Sequence, residues 1–199
     1  MGRKTKGGSL NRQIVLIWIA LLTGSTLLLS CGSSATGYIK PRVDFSYLQR
    51  AAVLPFENLS RDDLADERMR SVFLTELLDA KILEVTDPRE TMAAVLEMGL
   101  VPGRSLTPEE AVTLGKKLSV DAVFFGVVEE YAYTNSGRER TPEVTLVLGL
   151  TETQTGSIVW RVQVHETGGS FWKRLFGGSP AEFYDVSRRT VQKALETLL

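Results

Sequence analysis

Thiols and imidazoles are almost missing from this chain: it has one cysteine and one histidine in 199 residues. A lone cysteine excludes an internal disulfide in any compartment. One histidine beside one thiol cannot fill a zinc site, and it offers no catalytic triad without partners from elsewhere. Neither a Walker-type phosphate loop nor a dinucleotide fingerprint occurs. Excess positive charge is lacking too, with 23 Lys and Arg against 24 Asp and Glu. Arg3, Lys4, Lys6 and Arg12 sit in residues 1–30, which hold no acid, so the remainder is distinctly acidic. General nucleic-acid binding needs a basic face, and this balance argues against it. No long unbroken apolar run is present. The longest, Ile14 to Leu29, is interrupted at Thr23-Gly24-Ser25-Thr26, short of the roughly 20 apolar residues that span a bilayer.

That run follows the basic head and ends in Leu28-Leu29-Ser30-Cys31. A charged start, an apolar middle and small residues near a cut mark a secretory signal peptide. The final four residues resemble the lipobox of bacterial lipoproteins, in which cleavage falls just before the cysteine and its sulfur receives a diacylglycerol. Ser30 has the small side chain that such a cut requires, and only a thiol can form the thioether at Cys31. The expected organisation is a signal peptide over 1–30, a lipidated cysteine and polar tether over 31–49, and one domain over 50–199. At 43% hydrophobic residues the chain can bury a core of ordinary size.

Hydrophobic periodicity sets the domain. Arg50 to Phe56 reads as a first strand stopped by Pro55, and Ile82 to Thr86 as a second. Between them Ala65, Met69, Val72, Phe73, Leu77 and Ala80 mark the apolar stripe of a helix, with Arg68, Arg70 and Glu76 off it. A short helix over 88–98 turns Met92, Val95 and Leu96 inward. Thr107-Pro108-Glu109-Glu110 is a capping box with proline at the first helical position. Ala122 to Val128 is apolar on both alternating faces, as in a strand covered on both sides. Val144 to Leu150 and Ile158 to Val164 follow around the turn at Thr153-Gln154-Thr155-Gly156, with Ile158, Trp160, Val162 and Val164 expected on one face. A closing helix carries Phe183, Val186, Val191, Ala194, Leu195 and Leu198. The order β-α-β-α-α-β-β-β-α implies an α/β fold with helices packed on a mixed five-stranded sheet.

Three segments carry a resemblance: Ala52 to Ser60, Leu114 to Val128, and Thr153 to Trp160. Together they are similar to the bacterial envelope lipoproteins that share the TolB amino-terminal fold. That group includes the curli-secretion lipoprotein CsgG, exopolysaccharide-export lipoproteins such as PelC, and lipoprotein activators of penicillin-binding proteins. The resemblance implies a non-enzymatic accessory or assembly component of a secretion, export or cell-wall system. It implies an outer-membrane anchor through the lipid on Cys31, a domain in the periplasm, and a homo-oligomer or an envelope protein as partner. It offers no catalytic residues, cofactor, metal or small-molecule substrate. A transmembrane pore like the curli channel does not fit, because the spare segments are too short for added membrane strands of about 9–11 residues.

One stretch lies outside that scheme. Phe171, Trp172, Lys173, Arg174, Leu175 and Phe176 sit between glycine pairs. Aromatics with cations suit a membrane interface or a protein hot spot, and packing back on the domain is the alternative. The remaining polar candidates are weaker. His165 stands alone on the polar face of its strand, and Glu129 and Glu130 are expected on opposite faces. Tyr131, Tyr133 and Trp160 could supply stacking faces for glycan or peptidoglycan, the alternative reading of function, or could simply pack in the sheet. A periplasmic enzyme is the weakest reading.

Overall fold

The computed structural model describes residues 34–39, 45–136, 139–169 and 181–198. Ser30, Cys31 and the Phe171–Phe176 stretch lie outside them. The described chain forms one sheet of seven strands with four helices packed on it. The strands are β1 (Ser34–Ile39), β2 (Arg50–Val53), β3 (Glu57–Asn58), β4 (Glu84–Val85), β5 (Ala122–Ser136), β6 (Glu139–Glu152) and β7 (Ile158–Thr167). The helices are α1 (Ala65–Ala80), α2 (Pro88–Glu97), α3 (Pro108–Leu118) and α4 (Phe183–Glu196). The strand order is β1-β7-β6-β5-β2-β4, with β3 pairing β5 beyond the end of β2. β2 runs parallel to β4 and β5, and β5, β6 and β7 form an antiparallel meander. The parallel pairs need crossovers, which α1 and then α2 with α3 supply.

The α/β class and all five expected strands are present. Two further strands bring the sheet to seven. β3 is a two-residue extension that begins the turn into α1. β1 arises within the stretch expected as tether and pairs antiparallel with β7, from Ser34 opposite His165 to Ile39 opposite Trp160.

The helix starts follow their local chemistry. In α3 the Thr107 hydroxyl accepts from the Glu110 amide while the Glu110 carboxylate accepts from the Thr107 amide. Asp87 caps α2 by accepting from the Arg89 amide, with Pro88 in the first turn. After α3, one Asp121 carboxylate oxygen accepts from the amides of Gln49 and Arg50 at 2.9 and 3.0 Å and fixes the start of β2 beside β5.

One face of the sheet lies under α1 and α4. Phe56, Phe73, Phe124 and Trp160 form a chain of rings there, at centroid spacings of 5.8, 5.2 and 6.3 Å. The Trp160 indole donates to Thr197 at 3.0 Å, so its one polar atom is satisfied. Ala80, expected on the apolar stripe, is exposed at the end of α1 where the helix leaves the sheet, and Glu76, expected off the stripe, is instead held in the seam between α1 and α4. Arg188 and Gln192 each donate to its carboxylate at 2.8 Å. On the other face, among the described residues, α2 and α3 cover the β2 side, packing on Ala52, Leu54 and Val123. In α2 the inward residues are Thr91, Ala94 and Val95, while Leu96 is exposed, because the helix touches the sheet along a narrower stripe than expected.

Candidate functional site

Where α2 and α3 stop, the second face opens into a cleft of about 580 Å³. Its floor is Leu54, just past the end of β2, with Val123, Phe125 and Val127 from β5. The start of α3 and the segment before it form one wall, through Leu106 and Pro108. The β6–β7 turn forms the other, from Thr155 to Ile158. Among the described residues, Arg161 on β7 is the one charged member of the lining.

Two glycines shape this cleft. A Cβ on Gly149 would lie 2.1 Å from Cζ of Phe125, so the ring lies flat across the β6 backbone only because nothing projects there. Gly156 takes φ +71, and a Cβ on it would lie 2.4 Å from the Pro108 carbonyl oxygen. The turn and the helix start therefore meet backbone to backbone. Thr153 completes the contact by donating to the Val120 carbonyl at 2.6 Å, its side chain pressed against Gly115 of α3.

A β-bulge decides which residues face the cleft. Leu150 pairs with Trp160 and Thr151 with Ile158, so Val159 is an extra residue. Val159 and Trp160 are both buried on the covered face, at 1% and 0% exposure. Ile158, expected beside Trp160, turns to the cleft and is 46% exposed. A second bulge falls between Val128 and Glu130. Glu129 accepts from Gln163 at 2.5 Å, and Glu130 stands opposite Thr145, so both carboxylates share the open face instead of alternating.

Beyond the cleft that face is polar. His165 Nδ1 lies 2.9 Å from the Thr145 hydroxyl, and its Nε2 is 3.6 Å from Glu143. The set resembles a nucleophile, base and acid, but Thr145 sits mid-strand in β6. The backbone amides around it serve the strand ladders on both sides. The proposed stacking aromatics part company as well. Trp160 is buried, and Tyr131 is buried and stacked on Phe183 at 4.5 Å. Tyr133 alone of the three is exposed, with the Arg140 guanidinium 4.8 Å above its ring. Among the described residues no cluster of His, Cys, Asp and Glu could hold a metal ion. Likewise among them, no helix is long and apolar enough to cross a membrane.

Sequence reasoning missed the cleft because apolar alternation in β5 looks the same whether a helix or a void lies above it. The available signal was the pair of glycines, Gly149 and Gly156, flanking the β6–β7 turn.

No family model and no curated protein matches the chain. Solved structures do share its fold. A PelC dodecamer from Paraburkholderia phytofirmans is 18% identical with a TM-score of 0.59, covering 84% of this chain and 97% of that one. Lipoprotein GNA1162 from Neisseria meningitidis is 17% identical with a TM-score of 0.56, covering 75% and 97%. The hypothetical protein CT253 from Chlamydia trachomatis is 12% identical with a TM-score of 0.52, covering 76% and 95%.

Proposed function

We propose that this chain is an exported envelope lipoprotein of the CsgG and TolB amino-terminal-like group, a non-enzymatic assembly component of a secretion, export or cell-wall system. The observation that carries the reading is the coincidence of two independent features. The amino-terminal segment ends in Leu28-Leu29-Ser30-Cys31 after a basic head, and the domain behind it shares its fold with one protein described as a lipoprotein and with a PelC dodecamer. In this reading signal cleavage falls between Ser30 and Cys31. The lipid on Cys31 holds the protein at the outer membrane, with its domain in the periplasm. Phe171 to Phe176 makes a second contact, with membrane or partner.

The oligomer is the sharper part of the proposal. The mass of the lipidated protein in mild detergent, by light scattering corrected for detergent, is expected to show a discrete closed oligomer. A monomer would overturn the ring and leave a lipoprotein that acts on a separate envelope partner. Acylation adds about 0.8 kcal/mol of membrane affinity per buried CH₂, so several chains give a stable hold. Cys31→Ala is therefore expected to appear as a soluble or uncleaved form on membrane fractionation. A cleaved variant that stays on the membrane would refute the anchor.

A further inference from the structure

Among the described residues, the cleft combines an apolar floor with one cation, Arg161. Arg161 is exposed, and among the described residues it has no carboxylate partner. On the same open face, the Glu129 carboxylate is engaged by Gln163, two residues along β7 from Arg161, and Glu152 at the end of β6 is engaged by Tyr47 at 2.7 Å and Thr155 at 2.9 Å. The start of α3 cannot take the role of anion site, because the capping box already occupies it. Beside Arg161, across the β1–β7 ladder, stands Tyr38, 54% exposed. The apolar lining of Val123, Phe125 and Ile158 thus meets a cation at Arg161. Its size falls in the range of about 300–1,000 Å³ usual for small-molecule sites.

We propose that this cleft binds one long acyl chain bearing an anionic head, the chain crossing the sheet over Phe125 between Val123 and Val127 and the head meeting the Arg161 guanidinium, which stands abreast of Phe125 two strands away. Charge complementarity selects the head. The unpaired guanidinium is a planar fork suited to a carboxylate or phosphate. Chain length sets the affinity, at about fourfold per added methylene while the floor has room. This goes beyond the sequence reading, which foresees no small-molecule substrate. It does not depend on Cys31, since binding is scored inside the cleft.

The test is photolabelling of the full-length protein in its membrane with a diazirine-bearing fatty acid, followed by peptide mapping. Labels are expected in the peptides that hold Leu106 and the Val123–Val127 segment. Palmitate should suppress them at about a tenfold lower concentration than hexadecanol. Arg161→Ala should cut cleft labelling about tenfold, the loss of one charge-assisted hydrogen bond. Leu106→Trp, which fills the cleft, should abolish it. Unchanged urea midpoints would show that both variants fold. A diazirine-bearing phosphatidylglycerol used in parallel separates a bilayer lipid from a free fatty acid as the source of the chain. Labelling only outside the cleft would overturn the proposal, as would cleft labelling indifferent to Arg161→Ala and competed equally by hexadecanol.

Discussion

The two faces of this sheet are built on different rules. Under α1 and α4, every large side chain meets another, from Phe56 through Phe73 and Phe124 to Trp160. Across the strands, α2 and α3 cover the β2 side and leave Phe125, Val127 and Ile158 facing a void. Adjacent residues in one strand therefore serve unlike ends. Trp160 is wholly buried, and Arg161 after it is exposed. The larger core lies on the first face, and the second joins a smaller core under α2 and α3 to an uncovered remainder.

The strongest way to break that distinction is to truncate neighbours on opposite faces. Trp160→Ala is expected to destabilise by about 3–5 kcal/mol, as large-to-small changes in a core do. Arg161→Ala should stay within about 0.5 kcal/mol, as an exposed change with no lost partner. Urea unfolding reads both, and similar losses would erase the contrast. Next in size is Glu76→Ala in the seam between α1 and α4. It removes the acceptor for Arg188 and Gln192 and should cost about 1.5–3 kcal/mol, the range for hydrogen bonds to a charged group. The same denaturation series measures it.

Gly115→Ala sharpens the comparison from the other face. Alanine in a helix normally gains about 1 kcal/mol over glycine. Here the new Cβ would lie 2.2 Å from Cβ of Thr153, so the sign should reverse to a loss of about 1–2 kcal/mol. A stabilised variant would show that α3 is free to move off the turn. The smallest effect concerns Glu110. The Thr107 amide donating to its carboxylate, helped by Arg104, holds its pKa below the ordinary value. A depressed carboxylate stabilises the fold above its unfolded pKa, about 4.3, and that contribution fades as pH falls through the folded value. The gap in melting temperature between the protein and Glu110→Gln should be open at neutral pH and close in acid below about pH 4. A gap constant with pH would mean the carboxylate's charge does no work there.

Much of this architecture was legible in the residues. Periods of two and of three to four located five strands and four helices, and Thr107 to Glu110 announced the start of α3 down to its bonding. β1 left no such trace. Ala35 to Ile39 is exposed on both faces, so no alternation is imposed, and its partner β7 lies more than a hundred residues away. The bulges escaped for a related reason. Alternation is an arithmetic of even steps, and one extra residue at Val159 reverses everything before it, which is how Ile158 changed sides. Of the candidate site, the residues expected to hold lipid or touch a membrane lie outside the described part, and the cleft appears only once strands and helices are placed together.

The bulges also set what kind of change the chain can absorb. A substitution keeps the count of a strand and alters one side chain. A deletion keeps the side chains and alters the count. At most strand positions the second is far worse, since it sends every later residue to the wrong face. At Glu129 and Val159 the ranking inverts. Each is surplus to its ladder, and removing it would merge two neighbours that already share a face while leaving the phase of the rest intact. These are the two points in the meander where the chain can be shortened by one without being rewritten.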